Sequence, residues 1–141
     1  MMLNVRQFQE SDVHSIELGY EFTPESRVGL CNHDNIVGYT LVDGEEILAV
    51  GGAHVMWFGV GELWVLVSPE AKRRAAPFAR YTKGVVDTIF EEHKLRRMQA
   101  SVHVKDHPAI RFAEWLGLEH EGLMRKYGVR GEDYIRMARV I

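Results

Sequence analysis

The side chains best suited to chemistry gather around one short apolar run, Glu62-Leu-Trp-Val-Leu-Val67. It opens on a carboxylate, with His54 before it and His103 after it. Carboxylates and imidazoles are the groups most used to take up or return a proton near neutral pH. Lys72-Arg73-Arg74 follows the run. Three cations beside a helix N-terminus suit an anionic ligand, phosphate foremost. Tyr127 adds a phenol. His103 and His107 have i, i+4 spacing, but Asp106 and Pro108 set them across a strand-to-helix junction, so no metal site is expected. Each group also has an ordinary place. Glu62 suits a solvated strand end, the histidines structural roles, Tyr127 strand packing and the basic run an exposed link. Trp57, Phe58 and Trp64 read as core or hairpin packing.

The elements that must position these groups follow from periodicity. Glu62 to Val67 has the length and β-branched, aromatic content of a buried strand, ended by Ser68-Pro69. Glu70 to Arg74 reads as a polar, basic link. Ala75 to His93 reads as a helix, with Phe78, Tyr81, Val85, Ile89 and Phe90 on one stripe. Met98 to Val104 is a second strand. Asp106 caps the next helix, Pro108 sits in its first turn and Gly117 closes it, and the helix carries Ile110, Phe112, Trp115 and Leu116. A strand–helix–strand crossover of this length implies that Glu62–Val67 and Met98–Val104 are parallel neighbours, parting at their C-terminal ends.

Taken from the start, Leu3 to Phe8 reads as an edge strand and Ser11 as the cap of a helix over Asp12 to Tyr20, with Val13, Ile16 and Leu18 inward. Pro24 begins a short helix through Val28 and Cys31, and Asn32 to Asn35 breaks it. Ile36–Val42 and Glu46–Met56 form a hairpin about Asp43-Gly44. The paired Gly51-Gly52 signals a bulge or a close backbone approach. Trp57 to Gly61 turns the chain. The last strands, Leu118–Tyr127 and Tyr134–Ile141, are joined by Gly128-Val-Arg-Gly131. The order β-α-α-β-β-β-α-β-α-β-β predicts one mixed α/β domain spanning residues 1–141.

Val67-Ser-Pro-Glu-Ala-Lys-Arg, the long helix, and Asp106-His-Pro-Ala-Ile-Arg-Phe-Ala-Glu-Trp-Leu-Gly-Leu118 together resemble the two central motifs of the GNAT (Gcn5-related) N-acetyltransferases. Within that superfamily the chain is most similar to small GNAT-like proteins of tailed bacteriophages. The resemblance implies transfer of an acetyl group from acetyl-CoA to an amine of a small molecule or protein. As an alternative it implies a phage protein that binds a host or virion protein with degenerate or absent catalysis. On the first reading Glu62 deprotonates the amine, His54 and His103 are further candidates, and Tyr127 returns a proton to the thiolate. The backbone of Leu66, Val67 and Ser68 meets the pantetheine arm, while Lys72, Arg73, Arg74 and Ala75 lie at the pyrophosphate. Asp106 takes the place of the motif's Asn. The helices of the N-terminal third form the acceptor wall, carrying Glu17, Tyr20, Glu21 and Glu25.

Two positions depart from the family pattern. The pyrophosphate loop lacks its glycines, which let backbone N–H groups approach phosphate, and Pro77 removes one donor outright. Ala113 stands where many members carry the Tyr that protonates the leaving thiolate.

Composition bounds the remaining possibilities. The 141 residues suit one domain, and 46% hydrophobic with 26% charged residues is ordinary for a globular protein. The single Cys31 excludes an intrachain disulfide and a multi-cysteine zinc site. No signal-peptide pattern or membrane-length apolar stretch is visible, so a cytoplasmic protein is expected, in the host if phage-encoded, with a virion as the other setting. A homodimer is an open expectation. The net charge of −3 hides an asymmetry: residues 1–71 hold two basic against eleven acidic residues, and residues 72–141 hold fifteen against nine. That split places the basic loop near an anionic ligand and the acidic half near an amine or a protein. Nucleic acid is not expected, because no dense Lys/Arg block is interleaved with aromatics.

Overall fold

A computed structural model describes residues 3–16 and 36–141. Its elements run β1 (Leu3–Gln7), α1 (Glu10–Ser15), β2 (Ile36–Asp43), β3 (Glu46–Trp57), β4 (Val60–Val67), α2 (Pro69–Arg73), α3 (Ala75–Glu92), β5 (Arg97–His103), α4 (His107–Trp115), β6 (Glu119–Met124) and β7 (Tyr134–Val140). The strands form a seven-stranded sheet in the order β1-β2-β3-β4-β5-β7-β6. All neighbours are antiparallel except β4 and β5, which are parallel as the helical crossover requires.

That parallel pair is short. Val60 faces Arg97, Gly61 faces Met98 and Glu62 faces Gln99, and there the pairing stops. Beyond Glu62 the two strands part, as the sequence predicts, and a gap opens in the middle of the sheet.

The pleat sorts side chains onto two faces. On β5, Met98 and Ala100 turn toward α3 and α4 and enter a core with Val86, Ile89, Ile110, Ala113, Leu116 and Met137. Gln99, Ser101 and His103 alternate with them on the other face. There Val13 of α1 and Ile16, which follows it, pack on Val50 and Leu66, with Phe8 and Trp64 beside them. Gly52 lies opposite Trp64. A Cβ on Gly52 would come within 1.9 Å of the Val37 carbonyl oxygen, which is the close approach that the paired glycines foretell.

Several boundaries differ from the sequence reading for definable reasons. The basic link is itself helical. Ser68 accepts a hydrogen bond from Ala71 N–H at 3.2 Å, and Pro69 takes the first turn, where no N–H is required. Helix α1 is capped at Gln9 rather than Ser11. The Asp12 carboxylate reaches back to accept from Gln9 N–H at 2.9 Å, a tie that a single-residue cap search overlooks. In α4, Asp106 accepts from Ala109 N–H at 3.2 Å, and Gly117 closes the helix at a φ of +97°. Ala113 is buried and Trp115 half exposed. The segment expected to continue α1 through Tyr20 and to form the Pro24 helix lies outside the described residues, as do Glu17, Glu21, Glu25 and Cys31.

Candidate active site

Glu62 stands at the base of the gap, the last residue of β4 paired with β5. Its side chain is 29% exposed. Gln99 Nε2 donates to Oε2 at 3.2 Å, and Arg136 donates to Oε1 at 3.2 Å. Neither contact is incidental. Arg97 Nε donates to Gln99 Oε1 at 2.9 Å, which turns the amide so that its NH2 faces Glu62. Arg97 is itself clamped by Glu121 through two bonds of 2.9 and 2.6 Å. This guanidinium holds the Glu121 carboxyl below the usual carboxylate range. Arg136 sits on β7 across from Ser101, whose small side chain leaves the span open. A carboxylate offers about four acceptor positions, and these bonds use two of them. Glu62 is therefore held in place and still able to accept from an amine. His54 lies across from it on β3.

The strand register decides which backbone groups meet the gap. Arg97 N–H donates to Gly59 O, while Ser68 N–H donates to Leu48 O on β3 at 2.9 Å. Alternation then directs the backbone of Val65 and Val67 toward the gap and that of Leu66 and Ser68 toward β3. Of the three backbone positions expected at the pantetheine arm, Val67 is on the gap side. Leu66 places its side chain in the core, and Ser68 spends both its N–H and its hydroxyl inside the fold.

The basic run is largely self-engaged. Arg73 pairs with Glu70 at 2.6 Å, and Arg74 pairs with Glu70 at 3.1 Å and with Asp43 at 2.5 Å. These hydrogen bonds lower the Glu70 carboxyl and raise the Arg74 guanidinium from their ordinary values. Lys72 is exposed, and Ala75 starts α3. Asp106 is used as the helix cap described above.

Tyr127 lies past the end of β6, 52% exposed, edge-on to Tyr134 at 5.4 Å. Tyr134 in turn meets His103 at 5.3 Å. Burial, with the nearby Glu132 charge, raises the Tyr134 hydroxyl, which stays protonated at neutral pH. His103 Nδ1 also accepts from Lys105 N–H at 3.0 Å. His103 is four residues beyond Gln99 on β5, about 13 Å along the strand. Tyr127 and His103 thus belong together, and Glu62 stands apart from them. Gln99, Arg97, Arg136 and Tyr134 were not singled out from the sequence. Only the register, which pairs Gln99 with Glu62 and Arg136 with Ser101, brings them to the site.

No family model matches the sequence, and neither does any curated protein. Solved structures do match its fold. The ribosomal-protein-S18-alanine N-acetyltransferase from Escherichia coli aligns with a TM-score of 0.80 at 17% identity, covering 99% of this chain and 94% of that one. Ard1 from Thermoplasma volcanium gives 0.81 at 13%, covering 100% and 99%. A chimera of the spermidine N-acetyltransferase SpeG from Vibrio cholerae and hSSAT gives 0.77 at 17%, covering 99% and 96%. At such identities the likeness is one of fold. With its mixed seven-stranded sheet, parted in the middle and flanked by helices, the chain has the GNAT fold.

Proposed function

We propose that this protein is an acyltransferase that moves an acetyl group from acetyl-CoA to an amine of a small molecule or protein. The observation that carries this reading is the parting of β4 and β5 immediately past Glu62. It leaves an unpaired backbone edge at Val65 and Val67 beside an oriented carboxylate. Such an edge accepts an extended, amide-bearing arm in the manner of an added strand. This edge fits the pantetheine part of acetyl-CoA. For the phosphates the fit rests on Lys72 and the start of α3, since Arg73 and Arg74 are engaged by Glu70 and Asp43.

When bound, acetyl-CoA supplies a carbonyl carbon activated as a thioester. Glu62 accepts a proton from the incoming ammonium, directly or through a water, so that nitrogen can form its bond to that carbon as the C–S bond breaks. Gln99 and Arg136 hold the carboxylate in position. The leaving group needs little assistance, because thiols of this kind have a pKa near ~8.5 and depart readily as thiolates. Tyr127, which like His103 meets the Tyr134 ring, is the residue we assign to returning a proton. The structural neighbours include a ribosomal-protein-alanine and a spermidine N-acetyltransferase, and both kinds of acceptor contain the amine this chemistry requires.

The test is calorimetric titration with acetyl-CoA, followed by mass spectrometry of amines incubated with protein and acetyl-CoA. We expect measurable binding and an acetylated amine. No binding at millimolar acetyl-CoA would end this reading. It would turn attention to a second one, a scaffold that binds a host or virion protein. That alternative draws support from the internal pairing of Arg73 and Arg74 and from Ala113 in the core.

A further inference from the structure

The loop between β6 and β7 treats its acids and its cations differently. It lies at the C-terminal end of β5, since Met124 and His103 both pair with Tyr134 and Val104 N–H donates to Asp133 O at 3.2 Å. The acids are spent on the backbone. Glu132 accepts from Arg130 N–H at 2.5 Å, and Asp133 accepts from Lys126 N–H at 2.9 Å. The cations are not spent. Arg125, Lys126 and Arg130 are exposed, as is Lys105, which follows Val104. Among the described residues none of these four meets a carboxylate, whereas Arg97, Arg136 and Arg139 on the adjoining strands each do.

The loop is also fixed in shape. Gly128 N–H donates to Glu132 O and Gly131 N–H donates to Gly128 O, both at 2.9 Å. Lys126 holds a φ of +57°, a left-handed backbone that few residues with a side chain adopt, and its bond to Asp133 ties it there. Between Lys126 and Arg130 stands Val129, 99% exposed. A lone exposed valine is ordinary on a protein surface. This one is carried on an ordered loop between cations, so whatever covers it also meets the charges, and little backbone order is lost on contact.

Unpaired cations around an apolar tip fit a surface of opposite charge that brings an apolar group of its own. Nucleic acid fits less well. A duplex carries one charge per ~1.7 Å of its axis, while Glu132 and Asp133 keep two negative charges within the loop, and Val129 has nothing to meet on a phosphate backbone.

We propose that the β6–β7 loop, together with Lys105, is a docking surface for an acidic protein segment with apolar side chains among its carboxylates. The surface lies past His103, about 13 Å along β5 from the level at which Gln99 pairs with Glu62. The proposal goes beyond the acyl-transfer reading and does not depend on it.

Fluorescence anisotropy of the full chain with a fluorescein-capped peptide, Asp-Asp-Leu-Asp-Asp-Leu-Asp-Asp-amide, tests it. The capped terminus leaves the peptide no amine, so acetyl transfer does not enter the measurement. Two further probes are the same peptide with Asn in place of Asp and an oligothymidylate with the same number of charges. We expect measurable binding of the acidic peptide, weakened by added salt, and much weaker binding of the other two. Lys105→Gln, Arg125→Gln and Arg130→Gln combined should weaken peptide binding on the order of tenfold, and Val129→Ser alone several-fold. Lys126 is left in place because its backbone is constrained. All four substituted side chains are exposed, and thermal unfolding checks that the fold is kept. No binding of the acidic peptide at millimolar concentration overturns the proposal, as does equal binding in the triple variant. Equal binding of the Asn peptide overturns it on the unaltered protein. An oligothymidylate that binds as tightly as the peptide, or a Val129→Ser variant without effect, overturns it in favour of a general polyanion surface.

Discussion

The two sides of the gap are built to opposite rules. On the helical side, the turn from Ser68 to Arg74 has its polar groups satisfied by the protein: Ser68 caps α2, Glu70 takes Arg73 and Arg74, and Asp43 at the end of β2 takes the rest of Arg74. On the open side, Glu62 is oriented but not saturated. The difference teaches where to look for a ligand. A charged cluster closed on itself holds structure together, whereas an oriented group with spare hydrogen-bonding capacity is available to something else.

The comparison can be broken most severely at Glu62. Glu62→Gln should lower turnover on the order of 10²–10⁴-fold, the usual share of general base assistance, and leave acetyl-CoA affinity nearly unchanged. Equal losses in both would place Glu62 in structure rather than in catalysis. Next comes Asp12, which binds α1 to the open face by accepting from Arg6 through two bonds of 2.8 Å and from Thr40 at 2.8 Å. Burial alone would push this carboxyl up, but the bonds from Arg6, Gln9 and Thr40 outweigh it and hold it below its ordinary value. A carboxyl so depressed stabilises the fold above its unfolded pKa, and that stabilisation is lost as pH falls through the folded value. Asp12→Ala should therefore cost about 1–3 kcal/mol at pH 7, and the gap from the parent should close on acidification. Thermal unfolding followed between pH 7 and strongly acid solution reads both.

Smaller effects sharpen the contrast. Ala113→Tyr inserts a ring into the core shared by Ile110, Leu116 and Met137, and overpacking of this kind costs about 1–3 kcal/mol. A tyrosine accepted at no cost, by denaturant titration, would mean that the gap has room for it. The smallest change is expected from Arg74→Ala, whose partners are Glu70 in the turn and Asp43 at the end of β2. It should lose little stability, as solvent-screened ion pairs do, and shift acetyl-CoA affinity by less than tenfold. A larger loss of affinity would show that the closed cluster opens to a ligand.

Much of the fold was legible because its signals are local. The crossover from Val67 through a long helix to Met98 dictates parallel strands, and the capping by Asp106 and Gly117 was readable from residue type alone. Glu62 was legible as a carboxylate opening a buried strand. Its partners were not, because Gln99 and Arg136 lie 37 and 74 residues away and only pairing register brings them near. The basic run misled for a related reason. Its charge was visible, but its neutralisation depends on Asp43, which stands 31 residues earlier at the end of another strand.

The sheet order has a consequence for how this chain is made. β7 enters between β5 and β6, so a segment near residue 140 fills an interior place in the sheet. Until Tyr134–Val140 has left the ribosome, β5 lacks an antiparallel partner and β6 has nothing to pair with. The same segment delivers Arg136 to Glu62. A nascent chain stopped short of it therefore exposes two unmatched strand edges, the kind of surface that invites aggregation and chaperone capture. Completion of the sheet and assembly of the carboxylate's support are then a single event in the life of the molecule.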